Sequence, residues 1–180
     1  FARCRDITVR DCAVLTTGWH GIEVGDETEG FLIEGNRIED SGDHAGILAE
    51  QAAHDGVIRD NQIRRPRFRG IQLNNKPALA AVKNVIVSGN AVWMAGNTKH
   101  AALLAYGDTT YTVDDCRFSS NLLFGGATGI ELHYQRRCIV NGNSVQDPAK
   151  CAVELHHVGD VTVRDNMLTG CHEEAARALP

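Results

Sequence analysis

Asparagine returns at one fixed place in a phrase that repeats down the chain, and no other feature constrains the fold as tightly. The phrases FLIEGNRI, VIRDNQI, VIVSGNAV, RFSSNLL, IVNGNSV and VTVRDNML put Asn36, Asn61, Asn90, Asn121, Asn143 and Asn166 in register. Cys12, in ITVRDCAV, takes the same position in the first copy. Counted from residue 12, the intervals are 24, 25, 29, 31, 22 and 23 residues. A period of this length, held over so many copies, is the signature of a solenoid, in which each coil buries its apolar face only by stacking on the next. A sandwich of hairpins needs tight turn pairs between adjacent strands and accounts for no such period.

Within each phrase apolar and polar residues alternate. Ile7 and Val9, Phe31 and Ile33, Val85 and Val87, and Val161 and Val163 stand five and three residues before the repeated position, while Thr8 and Thr162 between them are free to be polar. Period two marks a strand with one buried face. Two residues after the repeated position, Val14, Ile38, Ile63, Val92, Leu123, Val145 and Leu168 belong to a second strand. A third opens at Gly21, Gly46, Gly70, Ala102, Gly129 and Ala152. Asparagine tolerates a left-handed backbone that β-branched residues cannot, so the sharp bend is expected at the Asn itself. Stacked Asn side chains can also hydrogen-bond from coil to coil.

Three short strands per coil, about seven coils and no amphipathic helix pattern predict an all-β chain. The expected architecture is a single right-handed parallel β-helix domain over residues 1–180, with repeats from about 6 to 170 and an Asn ladder at one turn. Residues 171–180, CHEEAARALP, read as a tail, a short helix capping the last coil, or the start of a linker. The chain begins at Phe1 in mid-phrase, which reads as a processed or excerpted piece of a longer protein. Uncapped coil ends predict end-to-end association, because bare strand edges pair readily.

These phrases resemble the generic repeat of the pectin-lyase-like superfamily of parallel β-helices, which holds polysaccharide lyases, hydrolases, epimerases and phage tailspikes. The resemblance covers nearly the whole chain, but it is carried by scaffold residues and includes no catalytic signature of that superfamily. It implies a polysaccharide partner, a substrate groove along the third strand and its loops, and an extracellular or periplasmic location. No signal peptide is visible in the chain itself.

A net charge of −5 argues against general nucleic-acid binding, and no stretch is long and apolar enough to span a membrane. Hydrophobic content of 43% with only 6% aromatic suits a narrow core of Val, Ile, Leu and Ala. Cys116 and Cys138 fall in the inward column of Phe31 and Val85, so they read as neighbouring core thiols, with a bridge between them as the alternative. Phosphate-binding glycine loops, CxxC pairs, HExxH and nucleophile-elbow serines are absent, which excludes nucleotide, nicotinamide and zinc-hydrolase chemistry.

Chemistry concentrates on the outward positions of the third strand. One column runs Glu23, Leu48, Gln72, Leu104, Glu131, Glu154, and the next runs Gly25, Glu50, Asn74, Tyr106, His133, His156. Parallel strands lie about 4.8 Å apart, so Glu131 over Glu154 and His133 over His156 make a two-by-two patch. Like charges held that close raise one carboxylate's pKa, as a general acid requires, and neutral His beside them can serve as base or metal ligand. The plainer reading is a solvated polar face whose stacked identities reflect repeat ancestry.

The run RRPRFR supplies Arg64, Arg65, Arg67 and Arg69 ahead of the strand at Gly70, with Arg69 best placed to reach the groove. Such a run is otherwise a solvated loop, and Phe68 within it suits either a sugar ring or the core. Loops 75–83, 94–100 and 107–115 protrude around the longest coils, with His100 and Tyr106 at their edges. His20 and His44 stand at similar places and read as surface residues. Ca²⁺ is implied only by relatives that use it; Asp108, Asp114 and Asp115 show no spaced ligand motif, so no cofactor or metal is expected.

The expected function is binding and modification of an extended, uronate-containing polysaccharide. Catalytic candidates are Arg69, Tyr106, Glu131, His133, Glu154 and His156; binding candidates are Glu23, Glu50, Arg67, Phe68, Gln72, Asn74 and His100. In a lyase or C5-epimerase, the resemblance implies that Arg69 meets the uronate carboxylate while His133 or Tyr106 moves protons. In a hydrolase, Glu131 and Glu154 are acid and nucleophile, since retaining enzymes hold their carboxyls about 5 Å apart. The alternative is a non-catalytic tailspike, adhesin or spacer segment, because fold does not dictate function.

Overall fold

The computed structural model describes residues 1–74 and 80–179. They form a right-handed parallel β-solenoid of about seven coils, and no helix occurs among them. Part of the expected loop 75–83 lies outside the described residues. The first sheet runs from Arg5–Arg10 to Thr162–Arg164, the second from Ala13–Thr17 to Met167–Thr169, and the third from Ile22–Val24 to Glu174–Leu179. Every pairing between successive coils is parallel. Among the described residues, no helix is long and apolar enough to cross a membrane.

The alternation seen in the phrases becomes a column of core. Ile33, Ile38, Ile47, Ile58, Ile63, Ile71, Val85, Val87 and Val92 are fully buried, one set from each sheet. Each such side chain contributes roughly 1.5–3 kcal/mol on burial. Val163 in the last coil is 38% exposed, because no further coil covers it among the described residues.

The Asn ladder forms as expected, but the bend sits one residue earlier. Each ladder Oδ1 accepts from both the backbone N–H and the Nδ2 of the Asn one coil before, as in Asn61 to Asn90 at 3.1 and 2.9 Å. Cys12 joins through its N–H, 3.0 Å from Asn36 Oδ1. The left-handed residues are Asp11, Gly35, Asp60, Gly89, Ser120, Gly142 and Asp165, with φ between 54° and 65°. Local bending and ladder bonding are thus divided between two neighbours. Asp or Ser alternates with Gly at the bend, and beside Asp there is a packing reason: a Cβ on Gly35 would lie 2.6 Å from Asp11 Oδ1.

The segment at 171–180 is neither helix nor linker where it is described. Glu174–Leu179 is the seventh strand of the third sheet, in register with Cys151–His156. Strand pairing wins because Ala176 and Ala178 continue the columns of Val153 and Leu155. Cys116 and Cys138 are buried free thiols in adjacent coils, with the Cys116 N–H donating to Cys138 Sγ at 3.4 Å.

Candidate active site

The register of the third sheet sets both outward columns side by side. Glu23, Leu48, Gln72, Leu104, Glu131 and Glu154 align strand by strand, as do Glu50, Asn74, Tyr106, His133 and His156. The face they form is a cleft rather than a flat solvated plane. Leu48, Leu104 and Glu50 are buried although they point away from the core, since side chains from the preceding turn rise beside them. At one end the cleft is lined by Glu23, Glu50, Phe68, Arg69, Gln72 and Asn74, six of the candidates, and also by Trp19, His20 and His44.

Two Glu–His pairs stand on adjacent strands. His133 Nε2 lies 2.6 Å from Glu131 Oε1, and His156 Nε2 lies 2.9 Å from Glu154 Oε1. The imidazoles stack at 4.1 Å with 5° between planes, and Tyr106 continues the row 5.3 Å from His133. Burial alone would raise the Glu131 pKa, but the hydrogen bond from His133, the charge of Arg69 and the charges that His133 and His156 carry when protonated outweigh it and hold it below the usual value. The expected raised carboxylate is therefore not found at Glu131, because the His133 hydrogen bond and the positive charge near it, Arg69 included, oppose the effect of burial. Glu154 is occupied elsewhere: Arg177 Nη2 reaches its Oε1 at 2.6 Å and Arg177 Nε at 3.1 Å, while Thr128 Oγ1 donates to Oε2 at 3.3 Å.

Arg69 enters the cleft from the turn before its strand. Its guanidinium lies over Phe68 at 4.4 Å, and Nη1 donates weakly to Gln72 at 3.4 Å. Its buried Nε has no hydrogen-bond partner among the described residues. Burial pushes its pKa down, and the charge of Glu131 pulls it back up, so the two groups sense each other across the cleft. His100, 3.8 Å from Phe68, has its pKa lowered by burial and then by Arg69 and Lys99, which keeps it neutral.

The other arginines of RRPRFR leave the site. Arg64 covers Trp93 on the second sheet at 4.8 Å, and Arg65 pairs with Asp40 at 2.8 Å and Glu39 at 3.0 Å. Arg67, expected to bind substrate, is exposed beside Thr16, Thr17 and Asp40, around the turn from the cleft. The charged run is split because successive residues at a solenoid corner face different sides.

Asp114 and Asp115, two of the carboxylates considered for Ca²⁺, are committed to Arg136 and Arg137 at 2.9 and 2.7 Å. Asp108 accepts the backbone N–H groups of Thr110 and Tyr111 at 2.7 and 2.8 Å. Glu131, His133 and His156 offer donor atoms within 4.8 Å of one another. Two imidazoles stacked face to face direct their lone pairs in parallel, however, and an ion about 2.0–2.1 Å from each nitrogen needs them to converge.

Sequence reasoning passed over Arg177 and Trp19 on this face, and it read His20 and His44, which line the cleft, as surface residues. Arg177 was hidden by the reading of its segment as a tail. Trp19 and His44 carried a signal: they stand two residues before Gly21 and Gly46, as Phe68 and His100 do before Gly70 and Ala102.

Residues 20–178 match the family described as a right-handed β-helix region. The chain belongs to that β-helix family. Among curated proteins none matches the sequence. Two solved structures share the fold of this family member. The periplasmic alginate epimerase AlgG aligns with a TM-score of 0.60 and 15% identity, covering 98% of this chain and 46% of the enzyme. A mutant of AlgG aligns with a TM-score of 0.65 and 14% identity, covering 96% of this chain and 46% of that one. At such identities the likeness is one of fold, and the β-helix chain spans about half the length of the enzyme it matches.

Proposed function

We propose that the third-sheet cleft binds an extended polysaccharide and removes the proton beside a uronate carboxylate, the first step of both C5 epimerisation and β-elimination. The observation that carries this reading is the 2.6 Å His133–Glu131 pair sharing the cleft with Arg69. With Nε2–H donated to an ionised Glu131, His133 keeps its lone pair on Nδ1 and acts as the base, while the carboxylate stabilises the imidazolium that forms. Arg69 receives the substrate carboxylate through guanidinium N–H groups, one of which lacks a partner.

In the step, the C5–H bond breaks, the proton passes to His133, and the electron pair moves into the carboxylate as an enediolate. Neutralisation of that charge by Arg69 lowers the barrier. The enediolate then either expels the C4 oxygen, with Tyr106 as proton donor, or regains a proton at C5 from the other side. Hydrolysis by the two glutamates is the weaker reading, because Glu131 is held ionised and Glu154 is engaged by Arg177. The fold shared with a periplasmic alginate epimerase supports a carbohydrate-modifying role and an extracellular or periplasmic setting.

The test is incubation with uronate-containing polymers in deuterated water, following deuterium at C5 by NMR and unsaturated ends by ultraviolet absorbance. Exchange at C5, with or without absorbance, is expected. Reducing ends without exchange would establish a hydrolase instead, and silence in all three assays from folded protein would establish a binding or structural segment.

A further inference from the structure

The cleft face carries one motif twice. GIELH ends at His133 and AVELH at His156, so two adjacent strands each offer a Glu and, two residues on, a His. Nothing in the motifs themselves makes one pair the base and the other a bystander. The difference comes from the next coil, where Glu174–Leu179 sets Arg177 beside Glu154 in the same column. Arg177 donates to Glu154 Oε1 from Nη2 at 2.6 Å and from Nε at 3.1 Å. That oxygen is also the one 2.9 Å from His156 Nε2, while Thr128 Oγ1 donates to the other at 3.3 Å. Glu131, by contrast, is hydrogen-bonded to His133 alone among the described residues, and Arg69 acts on it only through its charge.

The consequence is electrostatic. The two half-buried imidazoles lie 4.1 Å apart with 5° between their planes. Unit charges that close repel, so a proton resting on His156 opposes the one that His133 must accept. A carboxylate without a counter-ion draws a proton onto the imidazole bonded to it, whereas one already bridged by a guanidinium does so far less. The charged and titratable groups around His156 are Glu154 on its own strand, Glu131 and His133 on the strand before, and Arg177 on the strand after. Glu173 stands 3.9 Å from Arg177 Nη1. Within this set Arg177 is the cation bonded to Glu154.

We propose that Arg177 is a positioning residue that sets the two Glu-x-His pairs apart. It answers the charge of Glu154, so that His156 stands as an uncharged plane against the His133 ring and His133 is left as the base. The role in catalysis rests on the proton-abstraction reading; the effect of Arg177 on the charge of His156 stands without it.

One arm of the test needs no substrate. Ring nitrogen NMR shifts of His133 and His156 at neutral pH are compared in the wild type, Arg177→Gln, Arg177→Lys and the double variant Arg177→Gln/Glu154→Gln, with thermal unfolding to show that each is folded. Arg177→Gln is expected to move His156 toward imidazolium. Arg177→Lys, which keeps the charge, and the double variant, which removes both charges, are expected to keep the wild-type shifts. An imidazolium at His156 in the wild type, or unchanged shifts in folded Arg177→Gln, would overturn the proposal. The other arm uses a polymer that undergoes C5 exchange. There Arg177→Gln should lower kcat on the order of tenfold, a fraction of the roughly 10²–10⁴ that a general base is worth, and leave KM unchanged. Adding Glu154→Gln should restore kcat to that of Glu154→Gln alone, and a double variant as slow as Arg177→Gln would refute the role in catalysis. No exchange by the wild type on any uronate polymer refutes the proton-abstraction reading, and the ring shifts then decide the effect of Arg177 by themselves.

Discussion

Replacing Asn90 by Ala removes one rung from the middle of the ladder, and its cost follows from the bonds that rung makes. Asn90 is fully buried; its Oδ1 accepts from Asn61 N–H at 3.1 Å and Asn61 Nδ2 at 2.9 Å. Its Nδ2 donates to Ile58 O at 2.9 Å and Asn121 Oδ1 at 3.0 Å. Some partners keep another bond: Asn61 Nδ2 still reaches Ile33 O at 2.9 Å, and Asn121 Oδ1 still accepts the backbone N–H of residue 90 at 3.1 Å. The Asn61 N–H loses its ladder acceptor, and Ile58 O loses its side-chain donor. Each buried group left unsatisfied costs about 1–3 kcal/mol, so the variant should lose about 2–6 kcal/mol. Asn166, half-buried in the last ladder position, makes comparable bonds that water can replace, and its Ala variant should lose about 0.5–1.5 kcal/mol. Urea unfolding, followed by far-ultraviolet circular dichroism and by the fluorescence of Trp93 in the same coil as Asn90, measures both. Equal losses at positions 90 and 166 would refute burial as the source of the ladder's stabilisation.

Gly56 lies under the Phe31 ring with no room for a Cβ, so Gly56→Ala should destabilise by about 1–3 kcal/mol through overpacking. Phe31→Leu added to it should recover most of the loss in a double-mutant cycle, and failure to recover would show that the site is limited by backbone rather than ring. Glu131 has a pKa lowered from its ordinary 4.5, so its contribution is present above that value and is lost as pH falls through the lowered one. Stability of wild type against Glu131→Gln across the acid range should therefore converge as pH drops; a constant gap counts against the ionised Glu131–His133 pair. On a polymer that undergoes C5 exchange, His133→Gln and Arg69→Gln should each slow exchange roughly 10²–10⁴-fold, the usual worth of a general base or of a charge-neutralising group. Glu154→Gln should cost far less, and a loss equal to that of His133→Gln would assign the chemistry to the second pair.

The fold was legible because a solenoid writes each structural demand many times over. One Asn proves little, but six in register, with apolar columns at constant offsets, define the coil, the inward faces and the neighbours across coils. The same arithmetic put Glu131 over Glu154 and His133 over His156, and the strand register agrees. Electrostatics was not legible in this way, because a pKa answers to groups that no column contains. Arg69 acts on Glu131 from two coils away in sequence, and Arg177 engages Glu154 from a segment whose Ala-rich composition favours helix locally but whose register with Val153 and Leu155 favours strand. Glu131 is thereby held below the usual carboxylate range, where the column alone predicted a raised value, and Glu154 is tied up by Arg177. Corners failed for a related reason. Periodicity says that RRPRFR is a corner, but only the path of the chain decides that Arg64 turns to Trp93, Arg65 to Asp40 and Arg69 to the cleft. The ring row is the instructive exception, since it too lies at a corner yet holds one offset for four coils. A corner position that repeats its side-chain chemistry coil after coil packs against its own copies, as the rings of Trp19 and His44 and of Phe68 and His100 do at 3.8 Å, and so it becomes legible in the way the strand columns are.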